Sequence, residues 1–596
     1  MRSSAFVFRF LELIVAFLFI SHHQAAATPQ LIERESSTHE YDVVIYGNTV
    51  AAIAAAIQVV RMGKTAALIT PRSTLGGLTT SGLSWTDAKN GSAVTGIARE
   101  FYSKVYERYE RSDLWVEEKR DTYLEKRIRA QPGPAIDETH KVQWTFEPKV
   151  AEAILEEWIK DERIPVFRET AIKRSKDGVT KDGANITSMV SEDGTVFRGK
   201  MFIDAGYEGD LMAAAGIPFS VGRESREQYD ESDAGVRVDI ESSHLNIDPY
   251  RKKGDPGSGF IEGIQEVIND PKAVDGDADD LRLQSFNYRL CLTKEKENQI
   301  PFSKPDGYNE DTYEILFRYI ESGYRGRLFT ASPLPNYKTD TNAAGDVSTD
   351  LLGGNFNNNS NYAEWSYEER KQADQRHKTW TQGLLYTLAK HPRVPQQIRK
   401  RVSLWGYAKD EFVSNGHWPY ELYIREARRM KGAYVMKQKD VTSPETYPED
   451  SIVAMGSYTF DVHQVQRVVV DSHAYNEGFV HVPNRAPFPI PLKAIIPEAK
   501  DATNFLNPVT LSSTHIGFSA IRMEPTYMML GQSAGAAAVL AIEKNVKIQD
   551  VDRKALNGRL KADGHVENGA HSMKPFAAFS MSIIIFFSCI LVQEVL

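Results

Sequence analysis

The stretch YDVVIYGNTVAAIAAAIQVVRMGKTAALIT, residues 41–70, decides the fold. Residues 41–46 are an apolar run with β-branched members, which predicts a strand. Residues 50–62 carry a small-residue helical pattern closed by Gly63, and residues 65–69 predict a second strand. Strand, tight turn, helix and strand make a βαβ unit, with the order of a parallel sheet and a right-handed crossover. A dinucleotide site of this type carries G-x-G-x-x-G at its turn. Gly47 fills the first position, but Thr49 and Ala52 stand at the other two. Gly47 allows the tight turn, and helix 50–62 aims its N-terminal N–H groups at a phosphate. Ala52 permits nearly the helix–strand closeness of glycine. Thr49 keeps its backbone N–H, and its hydroxyl can reach phosphate. The acid that meets a ribose about 20 residues further on is replaced by Thr70, a weaker partner than a carboxylate. Taken alone, the segment fits an ordinary βαβ unit without ligand equally well.

The next stretch changes that balance. RSTLGGLTTSGLSWTD, residues 72–87, places Arg72, Gly76, Gly77 and Gly82 directly after the second strand. R-x-x-x-G-G-x-x-x-x-G at this place is a second cofactor-binding loop of FAD proteins, whose paired glycines let the backbone pass close to the ligand. A third stretch, VTLSSTHIGFSAIRMEPTYMMLGQSAGAAA (509–538), opens a small-residue helix at Glu524 and Pro525, where proline suits the first turn. That helix start, with the charge of Arg522, is placed to stabilise a reduced, anionic flavin ring. The alternative for Arg522 is a structural ion pair.

These segments resemble the FAD-dependent oxidoreductase family, related to the glutathione-reductase-like flavoproteins. The resemblance runs through most of residues 41–545. It rests on DVVIYGNTVAAIAAAI, LGGLTTSGLSWTD, GIAREFY, WTFEPKVAE, FIDAGYEGDLMAAAG, VGRESREQYDES, FNYRLCLT, NYKTDTN, LYIREARRMKGAYVM and SSTHIGFSAIRMEPTYMMLGQSAGAAA. It implies an α/β fold: a Rossmann-like FAD/NAD(P)-binding domain, three-layered on a parallel sheet, with an inserted α+β substrate or cap domain. It implies FAD bound across Gly47, Gly76 and Gly77, with residues 513–531 returning to cover the flavin. Family members usually carry Glu where this chain has Thr70. Some relatives bear a xanthan or polysaccharide lyase label, and nothing in these residues independently supports lyase chemistry.

The division that follows is residues 41–224 for the first part of the FAD-binding domain, 225–440 for the inserted region and 441–545 for its C-terminal part. Helices are predicted over 97–112, 149–161 and 525–543, and a strand over 195–205. The region 225–440 is rich in aromatics, Asn and Gly/Pro breaks, so it reads as loop-rich.

Oxidising a C–H bond needs a base near the substrate and a polarised flavin. His463, in SYTFDVHQV, is the first candidate for the base. His515 and Arg522 complete the catalytic set, and each His has a satisfied buried imidazole as its alternative. Trp85 and Asp87 are expected along the ring, and Tyr207 and Glu208 follow a strand end, where open sheets place ligands. Lys493 and Arg425 are candidates for holding an acidic substrate, or solvated surface groups.

A net charge of -9 with both signs scattered excludes a nucleic-acid footprint, which is basic. Residues 1–27 follow the charged, apolar, small-residue order of a secretory signal peptide, with an uncleaved anchor as the rival. Residues 546–575 read as a linker. Residues 576–592 are one apolar run, which reads as a GPI-anchor signal after Asn568, Gly569 and Ala570, or as a single membrane span. The expectation is membrane attachment through this tail and a place in the secretory pathway or at the cell surface. Asn90, Asn185 and Asn358 head sequons, with Asn90 too close to the ligand loop to carry a glycan. The two cysteines, Cys291 and Cys589, leave a processed chain with one, hence no internal disulfide.

The function these features favour is a secreted or surface-attached enzyme oxidising a small organic or carbohydrate-like substrate by hydride transfer to flavin. The sequence carries no second G-x-G-x-x-G unit, which disfavours a reductase fed by pyridine nucleotide. A flavin monooxygenase or reductase with another donor is the rival. A non-catalytic surface protein keeping the fold is the reading that Thr49 and Thr70 motivate.

Overall fold

The computed structural model describes residues 37–565 except 239, 241–244, 280–281, 352–361, 444–447, 449–450 and 484–486. The leader 1–27, the tail 576–592 and Asn358 therefore lie outside the described residues.

The opening stretch folds as strand β1 (Thr38–Tyr46), helix α1 (Val50–Arg61) and strand β2 (Ala66–Ile69). β1 alternates its side chains between two cores. Val43 and Ile45 pack with the alanines of α1, while Val44 and Tyr46 pack with Phe202, Met189 and Phe505. A strand covered on both faces needs a continuous apolar run, which VVIY supplies. Outward from β2 lies β3 (Val166–Phe167). On the other side of β1 the chain adds a meander, β4 (Val179–Asp182), β5 (Asn185–Val190) and β6 (Val196–Asp204). β1, β2, β3 and β6 are mutually parallel, and the meander is antiparallel, so the sheet is mixed. The outer edge of β6 is shared: β5 pairs with residues 196–198, and Phe505–Leu506 pairs parallel with Phe202 and Ile203.

Four longer helices complete the frame: α2 (Gly96–Tyr109), α3 (Pro148–Asp161), α4 (Tyr367–Lys390) and, after α5 (His515–Ile521), α6 (Glu524–Lys544). Pro148 starts α3, as its missing N–H allows. α4 was not predicted from the sequence, although Ser366 and Glu369 form a reciprocal capping box at its start. Residues 546–565 hold a further helix, Arg553–Ala562, capped by Asp552.

The small residues of α1 and α6 let two helices touch backbone to backbone. A Cβ on Gly531 would lie 2.2 Å from the Ala51 carbonyl oxygen, and one on Gly535 would lie 2.6 Å from that of Ala55. Gly531→Ala is therefore expected to force the pair apart and cost about 1–3 kcal/mol. Thermal melts against wild type check this; an unchanged melting temperature contradicts it.

The middle of the chain adds a five-stranded antiparallel sheet, in the order 299–301, 406–408, 290–293, 338–341 and 332–334. Lys338 joins it to the start of α3. Its Nζ, fully buried, lies 2.7 Å from Glu147 and 2.6 Å from each of Asp410 and Glu411. Cys291, in the same sheet, is buried and free. Among the described residues no helix is long and apolar enough to cross a membrane.

Candidate functional site

Tyr46 pairs with both Ile69 and Asp204, so β1, β2 and β6 end side by side. Their loops converge, as open α/β sheets require of a ligand site. A cavity of about 290 Å³ opens there, lined by Gly47, Asn48, Arg72, Gly206, Glu208 and Glu421 among others. Gly47 has φ 131°, and a Cβ on it would sit 2.4 Å from the backbone of Ala205. The neighbouring strand's end thus demands this glycine.

Thr49 caps α1. Its hydroxyl accepts from the Ala52 N–H at 3.3 Å and donates to the Ala205 carbonyl at 2.8 Å. It is spent on the protein, leaving only backbone N–H groups of this turn for a phosphate. Ala52 is wholly buried in α1. Thr70 is buried too, and its hydroxyl accepts from the Arg72 N–H at 3.1 Å. An acid does reach this cavity, but from the far middle of the chain. Glu421 accepts from Asn48 Nδ2 at 2.7 Å and faces Arg72 Nε at 3.3 Å. Arg72 also faces Asp374 at 3.5 Å and Glu208 at 3.7 Å. Glu421 above all, against burial, keeps Arg72 firmly charged. Burial pushes the Glu421 carboxyl up to about 7 despite Arg72.

The glycine loop is packed by protein at its missing Cβ positions. A Cβ on Gly76 would meet Thr80 at 2.4 Å, one on Gly77 the Tyr207 hydroxyl at 2.4 Å, and one on Gly82 the Arg289 carbonyl at 2.0 Å. Tyr207 accepts from the Leu78 N–H at 3.0 Å and donates to Glu524 at 2.8 Å, while Thr79 donates to the other Glu524 oxygen at 2.9 Å. Glu524 therefore clamps the loop and β6 to the start of α6, where Pro525 occupies the first turn. After Gly82, Asp340 accepts from the N–H groups of Ser84 and Trp85, each at 2.9 Å, and pairs with Arg289. This holds Trp85 half-buried against Thr145. Burial pushes the nearby Asp87 up to about 6.

Burial also raises Glu524 from 4.5 to about 7. A raised carboxyl contributes stability below its unfolded value and loses it as pH rises through the folded value. The window is thus about pH 4.5 to 7, and the shift corresponds to about 3 kcal/mol. Glu524→Gln is expected to lose less stability than wild type between pH 5 and pH 8. Urea melts at the two pH values test this; parallel losses in both proteins contradict it.

The second group gathers around His463. The ring Nδ1 lies 2.6 Å from Asp350, and because a carboxylate only accepts, Nδ1 carries the proton. Nε2 is left to accept, with Asp461 3.7 Å away. Asp350 is itself held by Arg425 at 3.0 Å. Burial pushes its carboxyl up, but Arg425 and His463 outweigh this and hold it down at about 2. Arg425 is thus a support for Asp350, and Lys493 is exposed. Arg522 donates to the Tyr423 hydroxyl at 2.8 Å and the Asp461 carbonyl at 2.6 Å, so it joins His463 through Asp461. Gln284, which donates to Glu426 at 3.1 Å and accepts from the His463 N–H at 3.2 Å, links this group to His515. The backbone N–H of His515 donates to Glu224 at 2.8 Å and its Nδ1 meets Glu426 at 2.8 Å, inside a buried cluster with Arg429.

Residues 42–560 match the family of FAD dependent oxidoreductases. The chain belongs to that family. FAD is the cofactor of this oxidoreductase. No curated relative matches the chain. Among solved structures it is similar to an L-amino acid deaminase from Proteus vulgaris, at 14% identity over 32% of this chain and 54% of that one, with a TM-score of 0.21. It is also similar to a flavin monooxygenase from Stenotrophomonas maltophilia, at 15% identity over 28% and 37% of the two chains, with a TM-score of 0.17. A third, THI4 from Thermovibrio ammonificans, shares 14% identity over 38% and 76% of the chains, with a TM-score of 0.21. The chain spans about half or less of the first two proteins.

The residues present fit FAD. Besides the cavity at Gly47, buried polar atoms without a partner among the described residues sit on the segments the cofactor would thread: Ser81 Oγ, Ser84 Oγ, Thr459 Oγ1 and Arg522 Nε. Asn48, Arg72 and the start of α1 would hold its phosphate end, and the 81–87 and 459–463 segments its reactive end. Asp350, Asp340 and Glu421 escaped sequence reading, since no local pattern marks them. Asp461 had a signal, the D-x-H spacing to His463. Of the sequons, Asn185 is exposed at the β4–β5 turn, and Asn90 is half-buried, capping a short turn at Ser92.

Proposed function

We propose that this FAD-dependent oxidoreductase oxidises a small organic or carbohydrate-like substrate at a C–H bond, with His463 as base. The observation that carries the reading is the Arg425–Asp350–His463 chain, which fixes the tautomer and leaves Nε2 as proton acceptor. Bound FAD supplies the two-electron acceptor. His463 Nε2 takes the proton that leaves the substrate's hydroxyl or amine. Asp461, 3.7 Å from that nitrogen, stabilises the imidazolium so formed. Arg522, tied to Asp461 and Tyr423, supplies fixed positive charge beside developing negative charge. Glu524 and Tyr207 keep the glycine loop in register.

Anaerobic mixing tests the reading. Bleaching of the yellow protein by small alcohols or sugars, without NADPH, is the expected result. Bleaching by NADPH alone points to a monooxygenase or reductase and overturns it.

The same reading places the enzyme in the secretory pathway or at the cell surface, held by its C-terminal tail and acting on a small molecule. Its support is the residue pattern of 1–27 and 576–592 for the location, while the net charge of -9 speaks for a small molecule over a nucleic acid.

A further inference from the structure

A second cavity, of about 520 Å³, has Arg467 and Trp380 in its wall. Arg467 is 5% exposed. Its guanidinium donates to the Asp346 carbonyl at 3.0 Å, and its Nε is buried with no hydrogen-bond partner among the described residues. No carboxylate of a described residue stands within ion-pair distance of it. The other deeply buried arginines behave differently. Arg223 pairs with Glu477 and Asp279, Arg289 with Asp340, Arg370 with Asp210, and Arg429 with Glu224. Burying a cation without an anion is strongly unfavourable, so such a group persists where something outside the fold neutralises it.

We infer that this cavity binds a small organic acid, with its carboxylate on Arg467. The remaining wall suits such a ligand. Trp380 and Tyr313 stack at 5.2 Å with their planes 12° apart, giving a flat apolar face. Gln372, Gln375 and Thr379 offer amide and hydroxyl groups for a polar body. Arg376 adds a second cation. The one acid among the described residues of the wall, Glu262, accepts from Thr312 at 2.8 Å. Burial lowers Arg467 to about 10 in spite of Asp346 and Asp350, so it remains charged at neutral pH. Leu351, in the same wall, adjoins Asp350, the partner of His463.

Ligand-observed NMR on the flavin-loaded full chain tests the site. The probes are benzoate, phenylacetate and glucuronate, each paired with its neutral amide. At least one carboxylate is expected to bind about 10-fold or more tighter than its amide, a ratio that 1.4 kcal/mol accounts for. Arg467→Met should abolish that preference, and Arg467→Lys should retain part of it. Arg467→Met should also melt at or above the wild-type temperature, because it removes an unneutralised buried charge, whereas a purely structural arginine would leave a less stable protein. His463→Gln should bind the carboxylate as wild type does, which separates this site from the base assignment. Equal affinity for acid and amide, or a preference untouched by Arg467→Met, overturns the inference, as does the absence of binding by every probe.

Discussion

Substrate reduction of the flavin is expected to slow by a factor of about 10² to 10⁴ in His463→Ala, with the flavin still bound. The imidazole is the group beside Asp461 whose ring nitrogen is aimed by a buried carboxylate, at 2.6 Å. Its loss removes the proton acceptor and leaves Asp350 still paired to Arg425 at 3.0 Å, so the fold should survive. Asp350→Asn should slow the step as well, because an amide can donate to Nδ1 and turn the protonated nitrogen the wrong way. Asp350 is held at about 2, so it stays ionised through the working range. The rate of wild type should therefore carry no second inflection near pH 4 to 5 from this carboxyl. Stopped-flow bleaching under anaerobic conditions reads all three expectations. Wild-type bleaching in His463→Ala would remove it as the base.

Gly47→Ala is expected to lose flavin and much of its stability together. The new methyl would lie 2.4 Å from the Ala205 backbone, at a φ of 131° that L side chains avoid. Strain of this kind alone costs about 1–3 kcal/mol, and the clash is with main chain, which cannot swing aside. β1 and β6 would have to part at the mouth of the cavity beside Gly47. The neighbouring positions give the contrast. Thr49→Ala removes a helix cap and should cost about 1 kcal/mol, and Ala52→Gly should cost about 0.5–1 kcal/mol; both should stay yellow. The ratio of flavin to protein absorbance, read with the melting temperature, decides. A fully loaded Gly47→Ala protein melting as wild type would show that the turn relaxes freely.

The contrast within residues 47–52 also explains what could be read from sequence. The βαβ unit was legible because its signals are local: VVIY needs two covered faces, and Gly47 marks the turn. The hydroxyl of Thr49 is engaged within the protein for a physical reason. The sequence alone allows it to reach phosphate, yet an N-cap threonine already has a donor three residues away and finds Ala205, 156 residues on, for its own proton. The glycines of 76–82 were expected to yield room for a ligand; the space beside their Cα atoms is taken by Tyr207 and Arg289. His463 could be named from its setting, but its partner Asp350 lies 113 residues away, and Arg425 another 75 from that. Glu421 meets Asn48 across 373 residues. Such pairs are products of topology, which periodicity and turn signals do not encode. His515 reaches the His463 group through Glu426 and Gln284 rather than directly, because Glu224 and Glu426, from separate segments, enclose it.

The shared edge of β6 has a consequence for how the protein is made. Phe505–Leu506 completes the sheet that residues 38–46 begin, and α6 closes on α1 later still. A nascent chain can assemble β1, α1 and β2 as it emerges, but it must carry an open flank through the whole synthesis of the middle region. Contacts this distant in sequence form slowly, because a long loop must close before they repay it. Until then the exposed apolar edge is a target for chaperones and for other copies of the chain. A ribosome stalled short of residue 505 would release a half-built nucleotide fold rather than a smaller working one.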